Sequence, residues 1–126
     1  MIFLGIDCGT QSTRAIALDW ETGSVLASSR QSYGFVPGLP PGVMEQNPGD
    51  WVSAADATVR EVLTMLGPRK SEIRGTGVSG QQHGLVPLDR AGLVVRPAKL
   101  WCDTSTAALR EKSRLLRETL HQRDLL

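Results

Sequence analysis

The sequence predicts an α/β protein in which a mixed sheet carries helices packed on its faces. Three observations lead there. Three short apolar runs joined by tight turns fill the first 29 residues; a helical apolar repeat begins just after Asn47; and strand and helix signals alternate again between Thr76 and the end of the chain.

Ile2 to Ile6 is an apolar run of strand type that meets Asp7. Ala15-Ile16-Ala17-Leu18 is a second strand, Glu21-Thr22-Gly23 a turn, and Val25 to Ser29 a third strand. Turns this short join antiparallel neighbours. From Val36 to Gly42, Pro37, Pro40 and Pro41 remove backbone donors while Gly38 and Gly42 add chain entropy, so this segment is an exposed loop. Asn47-Pro48-Gly49-Asp50 starts a helix: Asn47 can cap free N–H groups, Pro48 suits the first helical position and Asp50 complements the dipole. Trp51, Ala55, Val59, Val62, Leu63 and Leu66 recur at helical spacing and define its buried face, and Gly67-Pro68 ends it.

Beyond the helix, Thr76 to Ser79 is expected to be a buried strand, Gln81-Gln82-His83-Gly84 a polar break, and Leu85 to Leu88 another strand. Asp89-Arg90-Ala91-Gly92 turns the chain, and Lys99 to Cys102 is a short strand. Asp103-Thr104-Ser105-Thr106 can cap a second helix whose apolar side holds Ala108, Leu109, Leu115, Leu116 and Leu120. No glycine cap or polar tail follows His121, which itself is expected on the solvent side. The chain is therefore expected to be the leading piece of a longer protein.

With 126 residues, 40% hydrophobic and 21% charged, the chain suits one soluble domain with a modest core. A net charge of +1 argues against a nucleic-acid footprint or an electrostatic membrane anchor. The charge is uneven, since residues 1–50 hold two basic and five acidic groups, and the basic excess follows Arg110 on a solvated helix face. Met1 to Ile6 is too short for a signal segment, and no apolar run reaches spanning length. Cys8 and Cys102 have no metal or disulfide spacing, which fits reduced thiols in a cytoplasmic protein.

The chemistry concentrates in Asp7-Cys8-Gly9-Thr10-Gln11-Ser12-Thr13-Arg14. Gly9 allows a sharp turn and a close backbone approach. Magnesium prefers oxygen and keeps much of its water, so Asp7 can hold it through water. Thr10, Ser12 and Thr13 can donate to phosphate oxygens, and Arg14 adds a charged donor. The plainer alternative is a hairpin turn whose polar groups serve only the backbone.

Other motifs weigh less. Gly75-Thr76-Gly77-Val78-Ser79-Gly80 fits the dinucleotide pattern G-x-G-x-x-G in letters only, because it is itself the strand and no helix follows. No P-loop, zinc spacing or serine nucleophile elbow occurs. Gln82 and His83 offer donors and acceptors suited to a polyhydroxyl ligand, or are a solvated loop. Trp101 with Asp103 can hold a sugar, or be core and helix cap respectively.

Four blocks in order, Gly5 to Ala15, Met44-Glu45-Gln46-Asn47-Pro48-Gly49-Asp50-Trp51, Gly80 to Gly84, and Arg96-Pro97-Ala98-Lys99-Leu100-Trp101-Cys102-Asp103-Thr104, together resemble the FGGY carbohydrate kinases, the xylulokinase branch most closely. The resemblance implies a ribonuclease H-like, actin-like ATPase fold whose incomplete amino-terminal lobe is residues 1–126, with the second, ATP-binding lobe absent. It implies ATP and Mg2+ as cofactors, Asp7 organising magnesium and phosphates, and Gly9, Thr10, Gln11, Ser12, Thr13 and Arg14 in the phosphate cradle. Gln82 and His83 match the dipeptide that contacts a ketose, with Trp101 and Asp103 also on the substrate side; xylulokinases often carry Met where Gln82 stands. The catalytic base, an Asp in a Gly-Asp-Asn type segment, lies beyond this chain. D-xylulose is the expected sugar, with ribulose, fuculose, gluconate or glycerol, or a non-catalytic sugar-binding module, as alternatives. Self-association, as a homodimer or otherwise, is expected if core-facing residues are uncovered.

Overall fold

The computed structural model describes residues 1–123, and side-chain surroundings as far as Leu115. Strands β1 (Ile2–Cys8), β2 (Ser12–Asp19), β3 (Val25–Ser32) and, after a helix, β5 (Ile73–Gly80) form one sheet in the order β3-β2-β1-β5. The hairpin neighbours are antiparallel and β1-β5 is parallel, so the sheet is mixed as the alternation of elements required.

Burial alternates along the strands with the two-residue period of a pleated sheet. Ile2 and Leu4 of β1, Ala15 and Ala17 of β2 and Ala27 of β3 form one buried face, against which helix α1 (Pro48–Leu66) packs Val62 and Leu66. The three alanines let the helix lie close to the sheet. Ile2 and Val62 are wholly buried, each contributing roughly 1.5–3 kcal/mol of transfer free energy.

Helix α1 starts where the sequence placed it: the Asn47 side-chain oxygen accepts from Gly49 N at 3.1 Å. It stops at Gly67, whose φ of +56° is left-handed and whose N–H bonds back to Leu63 and Thr64 carbonyls, after which Gly67–Glu72 forms a 3-10 turn. Its buried line is Ala54, Thr58, Val62 and Leu66, while Trp51, Ala55, Val59 and Leu63 flank it half-buried. The predicted face holds at Val62 and Leu66, while in the first half of the helix the buried line falls on Ala54 and Thr58, one position before Ala55 and Val59. Thr58 escapes an apolar count, yet its hydroxyl donates to the Ala54 carbonyl at 2.9 Å and so sits in the core satisfied.

Three expectations differ from the structure. β5 is a strand but not a buried one: it lies at the sheet edge and Val78 is 72% exposed, because α1 packs over β2 and β3. Leu85 to Leu88 forms no strand, only the isolated bridges Leu85–Lys99 and Leu88–Val94 around the Asp89 turn. The strand expected over Lys99–Cys102 is instead β6 (Ala98–Lys99), which ends before the turn at Trp101 and pairs with β4 (Glu45–Gln46) in a second, two-stranded sheet. Two residues are too few to leave a periodic signal, so β4 was not legible beforehand.

Helix α2 (Ala107–Arg123) is present, but Leu109 is 67% and Leu115 50% exposed, so this part of its apolar side is not buried. Amphipathicity shows which side favours burial, not what covers it. The surroundings expected for Leu116, Leu120 and His121, and the apolar ending Leu125-Leu126, lie outside the described residues. Among the described residues no helix is long and apolar enough to cross a membrane.

Candidate active site

The face of the main sheet opposite α1 is open. Pairing aligns Ser79, Asp7, Arg14 and Arg30 across β5, β1, β2 and β3, next to the row Gly77, Gly5, Ile16 and Ser28. The missing side chains of Gly5 and Gly77 help leave a hollow of about 620 Å3, lined also by Asp7, Arg14, Ile16 and Ser79. Asp7 is exposed there, and its Oδ1 accepts from Ser79 Oγ at 2.7 Å.

β2 begins at Ser12, three residues earlier than the sequence suggested, so the turn is only Gly9-Thr10-Gln11. Strand alternation then sorts the expected cradle residues. Ser12 and Arg14 face the open side, where Arg30 Nε donates to Ser12 Oγ at 2.9 Å and Arg14 Nε to Ser28 Oγ at 3.3 Å. Thr13 points the other way: it is 0% exposed and its hydroxyl lies 3.3 Å from the Tyr33 hydroxyl. The structure therefore removes Thr13 from the set of groups that could reach a phosphate, because the strand pleat turns it into the core.

The turn is tied from outside. Gly9 N donates to Ser12 O at 3.0 Å; Tyr33 Oη donates to Gly9 O at 2.6 Å, Gln46 Nε2 to Thr10 O at 2.6 Å, and Tyr33 N to Gln11 O at 3.1 Å. Burial pushes the Tyr33 phenol up, which keeps it a proton donor. With its carbonyls occupied, the turn is fixed in shape before any ligand arrives, and its amide edge is the part suited to an anion. A side chain at Gly9 would meet Ser12 O at 3.4 Å and Asp7 Oδ2 at 4.0 Å, so the glycine keeps the space beside the carboxylate clear.

On the other side of the turn, Gln81 N donates to Cys8 O at 2.9 Å and carries the chain from β5 into the Gln82-His83 loop. Gln82 and His83 are exposed, and His83 is held at a φ of +59°, a strained setting that marks a constrained loop. His83 does not line the hollow beside Asp7. Chain reach still keeps it near: four residues separate it from Ser79, the register partner of Asp7, a span of at most about 14 Å. Trp101 is 60% exposed and its indole N–H donates to Thr10 Oγ1 at 3.2 Å, which brings a substrate-side candidate against the turn.

Of the two roles the sequence offers Asp103, the structure is nearer the capping one, since Asp103 accepts from Ser105 N and Oγ just ahead of α2. Its side chain is 2% exposed and all its acceptor directions are taken, by Ser105 Oγ at 2.6 Å and Ser105 N at 3.1 Å on Oδ1, and by Met44 N at 2.8 Å and Lys99 Nζ at 3.0 Å on Oδ2. It cannot also grip a sugar; it fixes the β4–β6 clamp that holds Trp101 in place. Ser105 foremost, then Met44, hold its carboxyl well below the usual 3.8. A depressed carboxyl lends stability above its unfolded value and loses it on acidification below that value. The thermal midpoint of the chain should therefore fall below about pH 4. In Asp103→Asn the midpoint should be lower at neutral pH and respond less to acid, and identical pH profiles for the two proteins would refute the assignment.

Among the described residues no group of three or more His, Cys, Asp or Glu could hold a metal by itself. The donor set fits magnesium in one way only: Asp7, through water, with most ligands supplied by phosphates.

Residues 2–124 match the FGGY family of carbohydrate kinases, N-terminal domain. The chain belongs to that family. It is 39% identical over 110 residues to the xylulose kinase of Haemophilus influenzae, an alignment covering 84% of this chain and 22% of that protein. Among solved structures, a xyloylose kinase from Brucella ovis superposes with a TM-score of 0.79 at 30% identity, covering 95% of this chain and 24% of the other. A xylulose kinase from Rhodospirillum rubrum gives a TM-score of 0.76 at 30% identity, covering 89% and 23%. The fold is that of the FGGY sugar kinases, the actin-like ATPase fold, and the chain spans about a quarter of the length of these relatives.

The sequence reading missed Gln46, Trp51, Tyr33, Ser79 and Gln81 as site components. Gln46 and Trp51 were visible inside one of the four FGGY blocks but carried no assigned role. Gln46 takes its role from Thr10 and Gln81, 36 and 35 residues away, which no local spacing encodes, and Trp51 joins the site only by donating to Gln46.

Proposed function

We propose that this chain is the amino-terminal segment, within the first lobe, of a two-lobed cytoplasmic FGGY kinase that transfers phosphate from MgATP to a ketopentose, D-xylulose first. The observation that carries the reading is the outward-facing Asp7 beside a turn whose carbonyls are all engaged, with Thr10 of that turn bonded to Gln81 and Trp101. The similarity to xylulose kinases favours the sugar.

In this reading Asp7 orients the magnesium-bound waters, the amides of Thr10 and Gln11 face phosphate oxygens, and Ser12 and Arg14 add donors on the open side. When bound, MgATP supplies the phosphoryl group and neutralises its charge. Gln82 and His83 bond sugar hydroxyls, and Trp101 offers an apolar ring face to the carbon skeleton. In this reading the base beside the sugar hydroxyl is a carboxylate outside this segment. That carboxylate belongs to the remainder of the kinase, so the 126-residue chain alone should turn over no ATP.

A coupled assay of ADP formation by the full-length protein over xylulose, ribulose, fuculose, gluconate and glycerol tests the reading. Xylulose should give the highest kcat/KM; inactivity on all five would refute it. His83→Ala should raise the sugar KM about tenfold or more, the cost of one buried hydrogen bond to the ligand, with the ATP KM little changed.

A further inference from the structure

Thr10, Gln81 and Gln46 close a ring of hydrogen bonds. Thr10 Oγ1 donates to Gln81 Oε1 at 3.2 Å, Gln81 Nε2 donates to Gln46 Oε1 at 3.3 Å, and Gln46 Nε2 donates to Thr10 O at 2.6 Å. An indole enters at two points: Trp51 Nε1 donates to Gln46 Oε1 at 3.0 Å and Trp101 Nε1 to Thr10 Oγ1 at 3.2 Å.

The bond directions are forced. An indole N–H can only donate and a peptide carbonyl can only accept, so the group between Trp51 and Thr10 O must accept on one end and donate on the other. Of side chains this shape, an amide does both at every pH, whereas a carboxyl does so only while it holds its proton. Gln46 is 1% exposed, so water cannot replace either bond. The same logic fixes Thr10: its one hydroxyl proton goes to Gln81, so its lone pairs remain for Trp101.

We propose that Gln46 is a positioning residue that couples the two halves of the site, and this rests on the kinase reading given above. Thr10 belongs to the phosphate turn, whereas Gln81 and Trp101 lead directly into the sugar-side residues Gln82, His83 and the β6 exit. Gln46 touches neither ligand. It holds the Thr10 carbonyl and the Gln81 amide in one register, so a ligand that orders either segment orders the other. Gln46→Leu removes both ends of the link; Gln46→Glu keeps the acceptor for Trp51 and, at a pH high enough to ionise it, has no donor for Thr10.

Two measurements test this. In the 126-residue chain, the three tryptophans give three indole N–H resonances, and Gln46→Leu should shift that of Trp101 although Gln46 makes no bond to it. In the full-length protein, initial rates over a grid of sugar and ATP concentrations report how far each ligand lowers the KM of the other. In the wild type that factor should be about fivefold or more. It should fall towards one in Gln46→Leu at every pH and in Gln46→Glu as pH rises and the carboxyl ionises, and Thr10→Val should add nothing to Gln46→Leu because the same ring is already open. Thr10→Ser, which keeps the hydroxyl, should restore wild-type coupling.

An unmoved Trp101 resonance overturns the proposal. So does an active wild type whose KM interdependence survives in both Gln46 variants. A wild type inactive on every sugar, with the Trp101 shift present, overturns the kinase reading and the coupling role with it.

Discussion

Asp7→Asn in the full-length kinase should lower kcat by about 10²–10³-fold, the loss seen when one preorganised electrostatic group at a transferring centre is removed. Asparagine has the same shape and its side-chain oxygen can still accept from Ser79 Oγ, so the β1–β5 pairing and the turn should survive. What disappears is the negative charge facing the hollow, and with it the means of orienting magnesium-bound water. Sugar KM should hardly change, because His83 and Gln82 stand on a separate loop. Raising free magnesium should recover part of the rate if the lesion is metal affinity. A variant with wild-type kcat at low magnesium would remove Asp7 from the mechanism.

That Asp7 could be singled out from letters alone follows from where it stands. Asp7 stands one residue before the end of β1, and after Cys8 come a glycine and hydroxyl side chains, a local arrangement visible in the order of the letters. The same locality made the three opening strands, the Asn47-Pro48 start of α1 and its Gly67 stop readable, since each depends on residues within one turn of the chain. Thr13 failed for a related reason: the strand began three residues early, and the pleat decides direction residue by residue, so a small error in a boundary moves a side chain from one face to the other. Gln46 drew no role because Thr10 lies 36 residues away, and for Asp103 the local partners Lys99 and Ser105 gave no warning that Met44 N, 59 residues away, would take its remaining acceptor direction. Side-chain type announces the capacity to bond; only the fold chooses the partner.

The uneven covering of the sheet yields the second large effect. Ile2 is 0% exposed at the centre of the buried cluster, with Val62 and Leu66 of α1 in the same cluster. Ile2→Ala should cost the chain about 2–5 kcal/mol in urea unfolding followed by far-UV circular dichroism, since it removes three methylene-sized groups and leaves a cavity that a rigid sheet cannot close. Val78 belongs to the same sheet and is the same kind of residue, but it is 72% exposed. Val78→Ala should therefore cost less than about 1 kcal/mol in this chain, mostly strand propensity. Equal costs would mean that β5 is covered by something, such as a second copy of the chain, and a concentration-dependent midpoint would identify that cover. In the full-length protein the comparison changes meaning: a Val78→Ala cost rising to about 2 kcal/mol there would show that the remaining three-quarters of the kinase packs on β5.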